Sequence, residues 1–67
     1  MIEVLVNGET RQLSTGLSVS ELLTQLGLHP RLIVVEHNRE ILDRAQYEKT
    51  EVRNGDALEL VHFVGGG

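Results

Sequence analysis

The stretch SVSELLTQLG, Ser18 to Gly27, decides the fold, because it carries the clearest helix signal in the chain. Ser18 and Glu21 form a capping box, in which each side chain binds the other residue's backbone N–H. Gly27 suits a left-handed C-cap, and Pro30 lies just beyond, where a helix cannot continue. The pattern predicts a short amphipathic helix whose apolar stripe faces the core and consists of Val19, Leu22, Leu23 and Leu26.

A β-hairpin is predicted before this helix. The stretch 2–6 alternates between two faces, as a half-buried strand does. Asn7-Gly8 follows it and is a strong hairpin signal, because both turn residues must take positive φ. The stretch 9–14 then returns antiparallel to the first strand.

Further strands are predicted after the helix. The stretch 32–35 is apolar and largely β-branched, which favours a buried strand, and 41–42 is a short strand. The polar stretch 43–50 is expected to be irregular or a single helical turn, with Tyr47 as its inward anchor. The longest strand is 57–64.

The predicted order, β-β-α-β-(β)-β, holds only one helix, and one helix covers only one face of a sheet. The last strand is best placed in the middle of the sheet, beside the first. The other face must then meet water or a partner, and four apolar side chains and one acid point outward there. This predicted partner-binding face consists of Leu5, Val34, Glu59, Val61 and Phe63.

Composition excludes several classes of function. The 67 residues carry ten acids and six scattered bases, for a net charge of −4, and only two aromatic residues, which argues against nucleic-acid binding. No apolar run approaches the ~20 residues of a membrane span. We therefore expect one cytoplasmic domain of residues 1–64 and a flexible glycine tail, 65–67.

Metal chemistry and independent catalysis are also not expected. There is no cysteine, and His29, His37 and His62 lack a recognisable ligand spacing. A chain this small leaves little room for a substrate pocket, which takes ~300 Å³ or more. No nucleophile–base pair stands out, and Arg44 is expected to cap the chain locally or to pair with Asp43 or Glu48.

The glycines Gly65, Gly66 and Gly67 allow two interpretations. One is a floppy end, as is common in glycine-rich termini. The other is a thin tether that carries the carboxylate of Gly67 into a narrow site on another protein, since glycine has no Cβ to obstruct close approach.

The whole chain resembles ubiquitin and its β-grasp relatives, and among them the ThiS family of thiamine biosynthesis. The marks are the strand into Asn7-Gly8, the helix start at 18–23, the segment 35–38, Arg44 with an aromatic residue three positions later, and the end at 64–67. Asp43 stands where the family often has proline, and His37 where it has an aliphatic residue.

This resemblance implies an α+β, ubiquitin-like β-grasp fold: a mixed four- to five-stranded sheet with one helix packed on one face. It also implies a sulfur carrier without a cofactor of its own. A ThiF-type adenylating enzyme, which consumes ATP, would adenylate Gly67, and sulfur from a cysteine desulfurase or other donor would make a thiocarboxylate. A ThiG-type thiazole synthase would accept the sulfur, with Gly65 and Gly66 entering the partner's active site.

Two other functions are compatible with the same sequence. The small subunit of molybdopterin synthase shares this fold, diglycine end and chemistry, although its chains usually run longer. A ubiquitin-like interaction or modifier module would bind proteins, or be joined to them, without carrying sulfur.

Overall fold

The computed structural model of the protein describes residues 1–62, in which five strands form one mixed sheet and one α-helix packs on one of its faces. The sheet order is β2-β1-β5-β3-β4. The predicted α+β class with one helix is confirmed, and so is the central position of the last strand beside the first. Phe63, Val64 and the glycine tail lie outside the described residues. The elements are β1 Ile2–Val6, β2 Glu9–Leu13, α1 Val19–Gln25, β3 Ile33–His37, β4 Glu40–Ile41 and β5 Ala57–His62, with 3-10 turns at Pro30–Leu32 and Arg44–Gln46.

The capping box sets the start of α1. The Glu21 N–H donates to the Ser18 hydroxyl over 3.0 Å, and the Ser18 N–H donates to the Glu21 carboxylate over 2.9 Å. At seven residues the helix is too short to be stable alone, so packing must hold it. Val19, Leu22 and Leu23 are fully buried against the sheet.

Asn7 joins the first hairpin to the central strand. Asn7 and Gly8 both take positive φ, as the hairpin signal predicted. The Asn7 side chain then bonds both backbone groups of Leu60: its carbonyl oxygen accepts from the Leu60 N–H over 2.7 Å, and its amide donates to the Leu60 C=O over 3.3 Å. One side chain thus fixes the β1–β2 turn against β5, where β5 runs parallel to β1.

Tyr47 substitutes for a missing strand beside β3. β4 pairs only with the last two residues of β3, so the first half of β3 has no strand on that side. There the Tyr47 hydroxyl donates to the Ile33 C=O over 2.8 Å and accepts from the Val35 N–H over 3.2 Å. The predicted inward anchor is confirmed, and it satisfies backbone groups as well as filling the core.

Three strands, β2, β3 and β4, differ from the sequence prediction by one or two residues at their ends, and β2 ends at Leu13, one residue early. β3 begins at Ile33 and continues to His37, because a 3-10 turn at Pro30–Leu32 occupies the expected start. β4 begins at Glu40, because Asn38 and Arg39 alone make the preceding turn, with φ of 51° and 72°. The residues 38–40 favour a turn in the sequence, but Arg39 gives no signal for its positive φ, so only this backbone conformation could not be predicted.

The core lies between α1 and the inner face of the sheet. Among the described residues, the buried side chains are apolar apart from the Tyr47 hydroxyl, and no buried side-chain nitrogen or oxygen lacks a partner. Within residues 1–62 no helix is long and apolar enough to cross a membrane. The buried residues are Val4, Val6, Leu13, Leu17, Val19, Leu22, Leu23, Ile33, Val35, Tyr47, Val52, Leu58 and Leu60.

Candidate functional site

The face of the sheet opposite α1 carries no covering element within residues 1–62. Val34 lies directly opposite Val61, and Leu5 lies opposite Ala57. Leu5 and Val61 are 44% and 57% exposed, and Val34 is partly exposed. The strand register therefore pairs Val34 with Val61 and places Leu5 on the same face but farther along β5, beside Ala57. Phe63 lies outside the described residues.

Two carboxylates face each other in the middle of this surface. Glu36 of β3 is the cross-strand partner of Glu59 of β5. Like charges directly opposite each other destabilise a sheet. The one ion pair among residues 1–62 joins His37 and Asp56, so neither glutamate has a cation partner there.

No strand of residues 1–62 brings a Lys or Arg side chain to the open face. Of the six Lys and Arg residues, only Arg11 lies in a strand, and its register partner is Val4, whose side chain is in the core. The Arg11 side chain therefore lies on the helix side of the sheet and not on the open face. The open face combines exposed apolar side chains with uncompensated negative charge.

Glu36 and Ile41 are members of this face that the sequence prediction did not include. Glu36 follows the predicted outward Val34 by two residues, so strand alternation could have found it had β3 been extended to His37. Ile41 is 74% exposed and lies opposite Glu36 on β4. Its place on this face depends on the β3–β4 register, which the sequence does not state.

A polar cluster fixes the turn from which β5 begins. The Asp56 carboxylate contacts His37 Nε2 at 3.0 Å and accepts from the Asn38 side-chain amide over 3.1 Å and from the Arg53 N–H over 2.8 Å. Asn38 in turn accepts from the Ala57 N–H over 2.8 Å. The cluster ties the β3–β4 turn to the first residue of β5, so we assign it a structural role.

The Asp56 carboxyl stays ionised more readily than an ordinary aspartate. Partial burial raises its pKa, but the hydrogen bonds from Arg53, His37 and Asn38, together with the charge of His37, outweigh burial and lower the pKa overall. The ionised form is therefore the one that stabilises the fold.

Within residues 1–62 no group of three or more His, Asp or Glu side chains is placed to hold a metal ion. The histidines are separate: His29 caps a 3-10 turn, His37 contacts Asp56, and His62 ends the described part of β5. A catalytic or metal centre is not visible in this part of the chain. The open sheet face is the candidate site.

Comparison with known proteins gives the family. The sequence model of the ThiS family matches residues 4–67 of this chain. The chain belongs to the ThiS family. Its fold is also that of the crystal structure of the thiamine biosynthesis protein ThiS from Geobacter metallireducens, with a TM-score of 0.85 and 36% identity over 98% of this chain and 100% of that one.

Curated relatives include both separate carriers and larger proteins. The chain is 38% identical over 50 residues to the sulfur carrier protein ThiS of Bacillus subtilis, a match that covers 75% of this chain and 76% of that one. It is also 41% identical over 66 residues to the thiazole synthase of Paramagnetospirillum magneticum, covering 98% of this chain. This chain spans about a fifth of the length of that thiazole synthase and of the one it matches in Magnetococcus marinus, since the match covers 20% of each.

The Asp56 cluster predicts a specific dependence of stability on pH. Because the pKa of Asp56 is lowered on folding, the ionised carboxylate contributes fully to stability above the unfolded-state pKa of about 3.9. This stabilisation is lost as the pH falls through the lower folded-state pKa. We expect Asp56→Asn to lower the free energy of unfolding at pH 7 by about 1.5–3 kcal/mol, the usual value of hydrogen bonds to a charged group.

The difference in free energy of unfolding between wild type and Asp56→Asn should then shrink as the pH falls below about 4. Denaturant unfolding at several pH values measures it. Glu9→Gln, at an exposed acid of the edge strand, is the matched control and should leave the wild-type pH profile in place. A constant difference between wild type and Asp56→Asn across this pH range would contradict the assignment.

Proposed function

We propose that this protein is a sulfur carrier of thiamine biosynthesis and that the C-terminal carboxylate of Gly67 is its reactive group. The observation that supports this most directly is the family match, which runs through the glycine tail to residue 67. The candidate site agrees with a carrier, because it is a surface suited to docking and not a substrate pocket.

The proposed chemistry begins with activation of the carboxylate. A carboxylate is a poor electrophile, so a ThiF-type enzyme would first join it to AMP, forming an acyl adenylate and releasing pyrophosphate from ATP. The terminal sulfur of a persulfide, formed by a cysteine desulfurase, then attacks the carbonyl and expels AMP, which leaves an acyl disulfide. A second thiol attacks the persulfide-derived sulfur that does not carry the acyl group, forms a new disulfide with it and releases the acyl-bound sulfur. A donor of free sulfide would expel AMP and form the same product in one step. The product is a thiocarboxylate, whose sulfur is itself a nucleophile.

The last step delivers this sulfur to a ThiG-type thiazole synthase. Two proteins named thiazole synthase contain a region similar to nearly the whole of this chain, which supports a working connection between the two activities. In this proposal the carrier needs no catalytic side chain and no cofactor of its own. ATP belongs to the activating enzyme.

The glycine tail suits delivery into a buried site. Three extended residues span roughly 10 Å, at ~3.3–3.6 Å each. Without Cβ atoms, Gly65, Gly66 and Gly67 can pass through a channel that would exclude other residues. In the sequence the tail follows β5, which is the central strand of the sheet and pairs with β1 on one side and β3 on the other.

The open sheet face is the proposed docking surface for the activating enzyme. Leu5, Val34 and Val61 offer exposed apolar contacts, and Phe63 stays a predicted member of the same surface. Glu36 and Glu59 supply a carboxylate pair that an arginine on the enzyme could bind through its planar fork. Such an arginine would relieve the repulsion that the free carrier retains.

Intact-mass measurement tests the carrier function. Incubation of the chain with ATP, a sulfide source and a ThiF-type enzyme should raise its mass by the difference between a sulfur and an oxygen atom. Attachment to lysines of other proteins would identify a modifier instead, and no change of mass would leave only a binding module. Rescue of a molybdenum-cofactor mutant in place of a thiamine auxotroph would assign it to molybdopterin synthase.

The carboxylate pair predicts opposite effects of one substitution on stability and on activation. We expect Glu59→Gln to raise the free energy of unfolding by about 0.2–1 kcal/mol, because it removes the cross-strand repulsion. The same change should lower kcat/KM for adenylation several-fold and weaken its dependence on salt, because the enzyme loses a charge partner.

Glu9→Gln removes one negative charge away from this face and controls for net charge. Unfolding curves and pyrophosphate-release kinetics measure the two effects. If Glu59→Gln and Glu9→Gln activate equally well, docking through the carboxylate pair is wrong, whatever the mass assay shows.

A further inference from the structure

A second concave surface lies on the helix side of the sheet, away from the proposed docking face. It is a cavity of about 270 Å³ between the start of α1, the segment before β3 and the 3-10 turn after β4. Its charged and polar lining comes from three separated parts of the chain. The lining includes Ser20, His29, Arg31, Arg44, Tyr47 and Glu48.

The two arginines of this cavity have no partner in the part of the chain that the structure describes. Arg44 was expected to cap the chain or to pair with Asp43 or Glu48, but it makes no ion pair or side-chain hydrogen bond within residues 1–62. The Asp43 carboxylate instead caps the 3-10 turn by accepting from the Ala45 N–H over 3.1 Å. Arg31 likewise bonds only through its backbone N–H. Neither guanidinium is needed to hold the fold.

The hydrogen bond at His29 fixes which ring nitrogen can donate. His29 Nδ1 accepts from the Arg31 N–H over 3.2 Å, so the neutral ring carries its proton on Nε2. His29 is therefore a donor at Nε2 whether it is neutral or charged. With the Ser20 hydroxyl and the two guanidinium groups, the cavity is lined by four side chains able to donate hydrogen bonds.

The framework around these donors is fixed. Tyr47 forms one wall, is 3% exposed, and has both hydrogen-bonding functions of its hydroxyl occupied by β3. The Ser20 N–H donates to the Tyr47 C=O over 2.9 Å, which joins the start of the helix to the same wall. The backbone that presents Ser20 and Arg44 is thus held by the core.

The charge of the cavity is opposite to that of the whole chain. The chain has a net charge of −4, whereas the cavity lining carries two arginines against the single carboxylate of Glu48. Arginine is the side chain best suited to bind carboxylate and phosphate oxygens, because its planar fork donates two parallel hydrogen bonds. A volume of about 270 Å³ suits one such group better than a whole nucleotide.

We propose that the cleft formed by Arg31, Arg44, His29 and Ser20 is an oxyanion-binding site. Its ligand is a single phosphate or carboxylate group, carried either by a small molecule or by an acidic side chain of a bound protein. Because the site lies on the helix side, it can be occupied while the open sheet face is docked. The inference does not depend on the sulfur-carrier function.

Titration with defined anions tests this proposal. We expect inorganic phosphate to shift the NMR signals of the Arg44 and Arg31 side chains and of the Ser20 amide in a saturable way at constant ionic strength. Arg44→Gln and Arg31→Gln should each weaken binding at least tenfold. Arg11→Gln, which removes the same charge from the exposed edge strand, should bind like wild type.

A parallel titration with a short poly-glutamate peptide separates the two sources. Saturation by phosphate alone indicates a small molecule, and saturation by the peptide alone indicates a protein ligand. The proposal would be overturned if neither probe gave saturable shifts. It would also be overturned if Arg11→Gln weakened anion binding as much as Arg44→Gln does. All three arginines are exposed, so the amide spectra should remain those of the folded chain.

Discussion

One seven-residue helix covers one face of a five-stranded sheet, and the rest of the molecule follows from this constraint. Most of the large apolar side chains of residues 1–62 are buried or partly buried in the core between the inner face and the helix. The opposite face remains uncovered in the described structure, so its alternating residues are exposed although several are apolar. Residues 1–62 contain no second α-helix or sheet that could cover them, and the proposed docking partner would bury these side chains.

The position of β5 connects the body of the protein to its proposed reaction. β5 pairs with β1 on one side and with β3 on the other, and Asn7 and the Asp56 cluster secure it from both neighbouring turns. In the sequence, the glycine tail 65–67 follows β5 after Phe63 and Val64. In this proposal the folded domain binds the partner enzymes, and the glycine tail carries the reactive carbonyl group.

Local signals in the sequence were sufficient for most of the fold. The capping box, the positive-φ pair Asn7-Gly8 and the alternation of 57–62 each depend on neighbouring residues, and each is confirmed. The face at Leu5, Val34, Glu59 and Val61 follows from the same alternation. Other features depend on strand register or on tertiary contacts and could not be predicted from the sequence. They are the position of Glu36 opposite Glu59, the hydrogen bonds of Tyr47 to β3, and the shared cavity of Arg31 and Arg44, which are 13 positions apart in the chain.

In the proposed function, reactivity resides in the main-chain carboxylate at the end of the glycine tail. Rescue of a thiamine-requiring bacterial strain that lacks its own ThiS-family carrier tests this most directly, with the chain of residues 1–67 compared against a chain lacking Gly66 and Gly67. We expect growth without thiamine for the chain of residues 1–67 and none for the shortened chain, although both fold alike. Equal growth with both chains would contradict it.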